Sequence, residues 1–160
     1  MKHLRLWITL GIFAVLAAAG SAAYLYAQTV ADSDFRGASY VTTVTDSSGN
    51  FASREVMTLH ADHTLAVVDS GQGGPTYFFS SQLGSWGPVS TGGLVARAID
   101  FDYPPNQDVA RLDYTIELSP DHSHVTGTVT LTTFPLEGDP LGGGGTVEGT
   151  FTFAGELIQP

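Results

Sequence analysis

The sequence predicts an all-β domain, an eight-stranded antiparallel up-and-down β-barrel, behind an N-terminal hydrophobic signal or anchor helix. Eight segments rich in Val, Thr, Ile and aromatic residues follow one another, and many of them alternate apolar with polar residues. Short turns rich in Gly, Pro, Asn and Asp link these segments, and helical periodicity is missing. Hairpin links favour a meander, and eight such strands close naturally into a barrel. A β-sandwich is the alternative.

The first element is the hydrophobic segment of residues 1–31. Lys2 and Arg5 precede a largely apolar run that has no charged residue before Asp32. This pattern is typical of a secretory signal peptide, but the run is also long enough to cross a bilayer as an uncleaved transmembrane anchor. Both interpretations place the remainder in the cell envelope or outside the cell, periplasmic or secreted, and the anchored form would attach to the inner membrane. A linker, residues 32–38, leads to the barrel domain, residues 39–158.

The strands of the barrel domain are predicted from their β-branched and aromatic content and from the turn residues between them. In chain order they cover residues 39–46, 51–60, 64–70, 76–86, 94–103, 109–118, 125–134 and 146–153.

Alternation predicts which side chains point into the barrel. The inward set is Phe51, Glu55, Met57 and Leu59 on the second strand; Ile99, Phe101 and Tyr103 on the fifth; Leu112, Tyr114, Ile116 and Leu118 on the sixth; Val125, Val129 and Leu131 on the seventh; and Val147, Phe151 and Phe153 on the last. This assignment also turns Arg97 inward and Asp100 outward.

An inner Glu55 and an inner Arg97 would form an ion pair inside the barrel. Such a pair is either a structural plug or the polar anchor of an otherwise apolar ligand pocket, to which Tyr103 and Tyr114 would add hydroxyl groups. In the pocket, Glu55 could also serve as a general acid or base.

Asp-His pairs occupy two predicted turns and raise the question of a metal site. A hairpin at this place usually has Asp-Gly, because its second residue adopts a positive φ, and His is among the other residues enriched there. We therefore expect His63 and His122 to be left-handed turn residues. The alternative is a metal site of His63, His122 and His124, since the turns after strands two and six share one end of a meander.

Charge and cysteine content exclude several classes of protein. The chain after residue 31 contains four arginines, no lysine and all sixteen acidic residues, so neither nucleic acid nor anionic lipid is an expected partner. Cysteine is absent, which excludes disulfides, thiolate nucleophiles and zinc–cysteine sites. The fold must then rest on its hydrophobic core.

The tripeptide Gly84-Ser85-Trp86 resembles the Gly-x-Trp signature of the lipocalins and the wider calycin barrels. This resemblance implies that Trp86 plugs one end of the barrel and that an arginine, here Arg97, packs across its indole. The motif lies near the fourth strand, whereas in lipocalins it lies on the first. The allene oxide cyclase type of small barrel is similar in size. Without the resemblance, Trp86 is a buried residue after a glycine bend.

Three functions fit these features. The first is an envelope barrel that binds a small hydrophobic molecule through Trp86, Arg97, Glu55, Tyr103 and Tyr114. The second is a cyclase or isomerase, and the third is a membrane-tethered structural or accessory subunit with a filled barrel. The sequence lacks the motifs of phosphate loops, dinucleotide-binding sites, nucleophile elbows and metalloproteases. No cofactor is therefore predicted, and a binding role is favoured over an enzyme. The sequence carries no prediction of oligomeric state.

Overall fold

The computed structural model describes residues 35–73, 78–90 and 92–160, so the predicted signal or anchor segment lies outside the described residues. Among these residues, no helix has the length and apolar character needed to cross a membrane. The described chain forms eight strands: β1 (Ala38–Thr45), β2 (Phe51–Leu59), β3 (Thr64–Asp69), β4 (Gln82–Pro88), β5 (Leu94–Phe101), β6 (Asp108–Leu118), β7 (His124–Pro135) and β8 (Thr146–Leu157).

The strands form one closed antiparallel barrel in sequence order. Each strand pairs with the next, and β8 pairs with β1 to close the sheet. This arrangement confirms the predicted eight-stranded up-and-down barrel and excludes the sandwich. Seven strands begin within two residues of their predicted starts, while β4 begins six residues late, at Gln82. Of the predicted strand ahead of it, residues 76 and 77 lie outside the described residues, and Phe79 makes an isolated bridge to Asp102.

The interior of the barrel is packed most densely toward one end. The largest fully buried side chains are Tyr40, Met57, Leu59, Leu65, Leu94 and Ile116. Burying an aliphatic side chain of this size contributes about 1.5 to 3 kcal/mol to stability. The predicted inner faces of β6 and β7 are confirmed: Leu112, Tyr114 and Ile116 are buried, as are Val125 and Val129.

The predicted faces of β5 were wrong. Leu94, Ala96, Ala98 and Asp100 point inward, whereas Arg97, Phe101 and Tyr103 are exposed. The physical reason lies in the neighbouring strands, because Ala96 is in register with Trp86 on one side and Tyr114 on the other. Two large inner rings leave room for only a small residue between them, so the alanines take the inner face.

Two β-bulges change which side chains point inward at the ends of two strands. They explain why two residues predicted to lie inside the barrel are exposed. The pairing of β1 with β2 shifts so that Ala52 is an extra residue, and the pairing of β7 with β8 shifts so that Glu148 is an extra residue. A bulge changes the parity of alternation beyond it. Phe51 and Val147, predicted to be inside, are therefore exposed by 66% and 64%.

Candidate functional site

One end of the barrel is closed by Trp86. The indole is 6% exposed, its Nε1 donates a hydrogen bond to the carbonyl oxygen of His60 at 2.9 Å, and the ring of Phe35 packs edge-on at 5.5 Å between centroids. His63 stacks on the indole at 4.4 Å. Trp86 is therefore buried at this end, and His63, not Arg97, lies against its indole.

The two Asp-His turns lie at this closed end and have the predicted conformation. His63 has φ 68° and His122 has φ 56°, so both are left-handed. Phe35 contacts both Trp86 and the ring of His122, which confirms that the turns share one end. No group of three or more metal-ligating side chains is placed to hold an ion among the described residues. His124 is exposed, and its Nδ1 lies 2.7 Å from the Ser123 hydroxyl.

The opposite end of the barrel opens into a cavity of about 530 Å³. Most of its apolar side chains come from the inner faces of β6, β7 and β8, namely Ala110, Leu112, Val129, Leu131 and Phe151, and the others are Val44, Ala52 and Phe79. Its other wall is acidic. The carboxylates that line the cavity are Glu55, Asp69, Asp100, Asp102, Asp108 and Glu148. No basic residue is among the lining residues in the described part of the chain.

Glu55 projects inward from β2 and is 3% exposed. Thr42 on β1 donates a hydrogen bond to its Oε2 at 3.3 Å. Burial, with the charge of Asp69 as a smaller cause, raises the pKa of Glu55 to about 7. Tyr114 lies nearby and donates its hydroxyl proton to Gln82 Oε1. Burial, followed by the charge of Glu55, raises the pKa of Tyr114 well above its ordinary value, so the phenol stays protonated.

Asp100 is the most deeply buried aspartate of the cavity wall, at 4% exposure. Burial, followed by the charges of Asp102, Asp108 and Asp69, raises its pKa to about 7. Among the described residues, neither its Oδ1 nor the Oδ1 of Asp108 has a hydrogen-bond partner. Burial and contact with Asp108 also raise the pKa of Asp102. This corner of the cavity therefore holds acidic oxygens for which the described residues supply no hydrogen-bond donor.

Asp69 differs from these groups because the protein satisfies both of its oxygens. Its Oδ2 accepts a hydrogen bond from Ser53 at 2.7 Å, and its Oδ1 accepts one from the Gly71 backbone amide at 2.6 Å. Asp69 thus fixes the start of the β3–β4 connection at the rim of the cavity.

The structure brings together only part of the predicted ligand site. Glu55 and Tyr114 lie at the cavity and beneath it, and Trp86 lies at the closed end. Arg97 faces outward on β5, where its Nε donates to Asp113 Oδ1 at 2.6 Å, and the expected Glu55–Arg97 pair does not form. Tyr103 is 52% exposed, after the end of β5.

Sequence reasoning missed Gln82, Asp100, Asp102 and Asp108. Asp100 was placed outside because alternation on β5 fits either face, and the larger apolar side chains were assumed to be buried. The available signal was the pair Ala96 and Ala98, whose small size suits the inside of a narrow barrel beside large rings. Asp102 was placed outside together with Asp100 by the same alternation, and Asp108 precedes the predicted start of the sixth strand at residue 109.

Comparisons of this chain with protein-family models, with curated proteins and with solved structures found no match. The functional argument therefore rests on the geometry of the cavity.

Proposed function

We propose that this protein is an extracytoplasmic β-barrel that binds a small, largely apolar molecule in the cavity at its open end, in the manner of a calycin-like barrel. The observation that carries the proposal is the cavity itself, about 530 Å³ in a barrel whose other end is closed by Trp86. Ligand pockets commonly measure 300 to 1,000 Å³ and combine apolar walls with a few polar groups. This cavity favours a ligand-binding protein over a filled-barrel accessory subunit.

The location is supported by the sequence before the barrel. Residues 1–31 have the basic start and apolar run of a signal peptide or membrane anchor. An extracytoplasmic barrel of this kind would take its ligand from the envelope or the surrounding medium.

Native mass spectrometry of the full-length chain, purified gently from its own host, tests the proposal. We expect extra mass that is released on denaturation, together with a recovered small molecule. Ala110→Trp should abolish the adduct, because Ala110 is buried in the cavity wall and an indole would fill the space. Ala154→Trp is the matched control, since Ala154 is exposed on β8. A wild-type protein of bare mass, indistinguishable from folded Ala110→Trp, would contradict the proposal.

A second candidate function is a cyclase or isomerase that moves a proton in the same cavity. The observation that favours it is Glu55, a buried carboxyl with a pKa of about 7, the range suited to a general acid or base at neutral pH. If the recovered molecule is converted, Glu55→Gln should reduce turnover by about a hundredfold or more while the molecule still binds. Turnover unchanged in Glu55→Gln would exclude Glu55 from this role.

A further inference from the structure

We propose that the ligand is an amphiphilic organic amine, whose ammonium group is bound by Asp100 and the carboxylates around it while its apolar body lies against the opposite wall. This inference rests on the proposed function and adds the chemical class of the ligand.

The first argument is the uncompensated charge of the cavity. Six carboxylates line it, and the lining residues in the described part of the chain include no Lys, Arg or His. Two of the arginines, Arg97 and Arg111, face outward, and both pair with Asp113, at 2.6 and 2.8 Å. Carboxylates gathered in a partly enclosed space repel one another unless a cation or protons join them. Since no described lining residue is basic, a cation that joins these carboxylates comes from solution.

The second argument is the unsatisfied oxygens. Asp100 is 4% exposed and lines the cavity. In the part of the chain that the structure describes, no donor reaches its Oδ1 or the Oδ1 of Asp108. Buried polar atoms in folded proteins are nearly always hydrogen-bonded, so an orphaned carboxylate oxygen directed at a cavity indicates a missing donor. A primary ammonium brings three donors on one atom and a positive charge.

The third argument is the two-sided shape of the cavity. Five of its six carboxylates come from β2, the end of β3, and the β5–β6 region, whereas five of its eight apolar side chains come from β6, β7 and β8. Leu112, Val129, Leu131 and Phe151 form this apolar wall. A compound with a charged head and an apolar body matches both walls at once. A bare metal ion would leave the apolar wall in water, and no metal-ligand group of three is found in the described residues.

Ammonium binding should release protons near neutral pH. Within the described residues, the titratable groups that face the cavity are the six carboxylates, and Tyr114 lies beneath it. The lining residues from β1, β4 and β7 have no titratable side chain. Glu55 and Asp100 both have a pKa of about 7, so in the empty cavity they are partly protonated at neutral pH. A bound cation favours their ionised forms, and the affinity for an amine should therefore rise as pH increases through about 7.

Isothermal titration calorimetry with three probes of equal chain length tests the class of ligand. The probes are n-decylamine, n-decanol and n-decanoate, added at about pH 8, where the amine is still protonated. We expect decylamine to bind at least about tenfold more tightly than decanol, and decanoate to bind most weakly. Repeating the decylamine titration at about pH 7, in buffers of different ionisation enthalpy, should reveal release of protons.

Variants of the carboxylates locate the ammonium. Asp100→Asn should weaken decylamine binding by about tenfold and leave decanol binding unchanged. Glu117→Gln is the control, because it removes one acidic charge from the exposed outer face of β6. Asp108→Asn serves as a second variant if Asp100→Asn fails to fold, and the comparison of probes on the wild-type chain needs no variant.

Each other outcome contradicts the inference. Equal binding of decanol and decylamine would show that the site takes an apolar ligand without a cationic head. This result would refute the inference that the ligand is an amine and leave the proposed binding function intact. Displacement of decylamine by calcium would identify a metal site instead. No binding of any probe would refute the amine, and a bare native mass would then refute the binding function as well.

Discussion

Side chains alternate between the two faces of β5, so the register of this strand decides whether the carboxylate of Asp100 faces water or the cavity. It points inward with Ala96 and Ala98, it is 4% exposed, and its pKa is raised to about 7. The folded protein therefore resists the ionisation of Asp100 at neutral pH, and one substitution can measure this cost.

Asp100→Asn should stabilise the free protein in alkaline solution. At about pH 8 the native aspartate is charged and poorly compensated, so its replacement should raise the free energy of unfolding by on the order of 2 kcal/mol. At about pH 4 the native aspartate is protonated, and the change should be under about 1 kcal/mol. Urea unfolding at the two pH values measures both effects. An equal change in the free energy of unfolding at the two pH values, or a decrease at pH 8, would show that the charge of Asp100 does not destabilise the fold.

Three of the described residues other than glycine have left-handed conformations, and they differ in their contacts. His63 and His122 contact aromatic rings at the closed end, whereas Gln107 is exposed with φ 54°. Glycine adopts this conformation without the steric penalty that other residues incur.

Gln107→Gly should therefore raise the free energy of unfolding by about 0.5 kcal/mol. His63→Gly should lower it by about 1 kcal/mol, because the relief of strain is outweighed by losing the stack on Trp86 and the contact of Nδ1 with the Trp86 carbonyl. Thermal unfolding of both variants compares the two effects. Stabilisation by His63→Gly would mean that the stack contributes nothing and that His63 is only a turn residue.

At the scale of the element, the glycine of the Gly-x-Trp motif has a packing role. A Cβ on Gly84 would overlap the backbone carbonyl of Arg97 on the paired strand, whereas a Cβ on Gly87, three residues along β4, would meet nothing within 4 Å. The close approach of β4 to β5 therefore depends on Gly84.

Gly84→Ala should lower the free energy of unfolding by about 2 to 3 kcal/mol, because the backbone of β5 has to move. Gly87→Ala, on the same strand, should change it by less than about 0.5 kcal/mol. Denaturant unfolding of the pair provides a matched comparison. Equal small effects would show that β4 and β5 can separate freely at this point.

The positions of the strands could be predicted from local sequence, and their inward faces only partly. β-Branched content and turn residues depend on neighbours in the chain, so the strands and the left-handed turns at His63 and His122 were placed well. The bulges at Ala52 and Glu148 and the inward alanines of β5 depend on the paired strand. The cavity was inferred around Glu55, but its acidic wall combines β2, β3 and the β5–β6 region, which only the closed barrel brings together.

At the scale of the whole molecule, two groups of carboxyls act in opposite directions on stability. The cavity acids Glu55, Asp100 and Asp102 have raised pKa values. In the exposed turns, hydrogen bonds, chiefly from Asn50, Thr64 and Ser119, hold the pKa values of Asp46, Asp62 and Asp121 below the ordinary range.

The free protein should accordingly be most stable in mild acid, at about pH 4 to 5. Between about pH 4 and 7 the unfolded chain loses protons that the folded cavity retains, so the free energy of unfolding falls as pH rises. Below about pH 4 the turn aspartates become protonated and their stabilising hydrogen bonds are lost. Thermal unfolding from pH 3 to 8 maps this dependence. A maximum near neutral pH, in protein shown to be free of ligand, would contradict the raised pKa values of the cavity.

The central claim is that a ligand enters the open end of the barrel while the Trp86 end stays closed. The most direct measurement is solution NMR of the isotope-labelled protein during titration with n-decylamine and n-decanol. We expect the changes in chemical shift to concentrate on the methyl groups of Leu112, Val129 and Leu131, with the Trp86 indole signal unchanged. Shifts concentrated at Trp86 and His63, or spread over the outer face of the sheet, would contradict the claim.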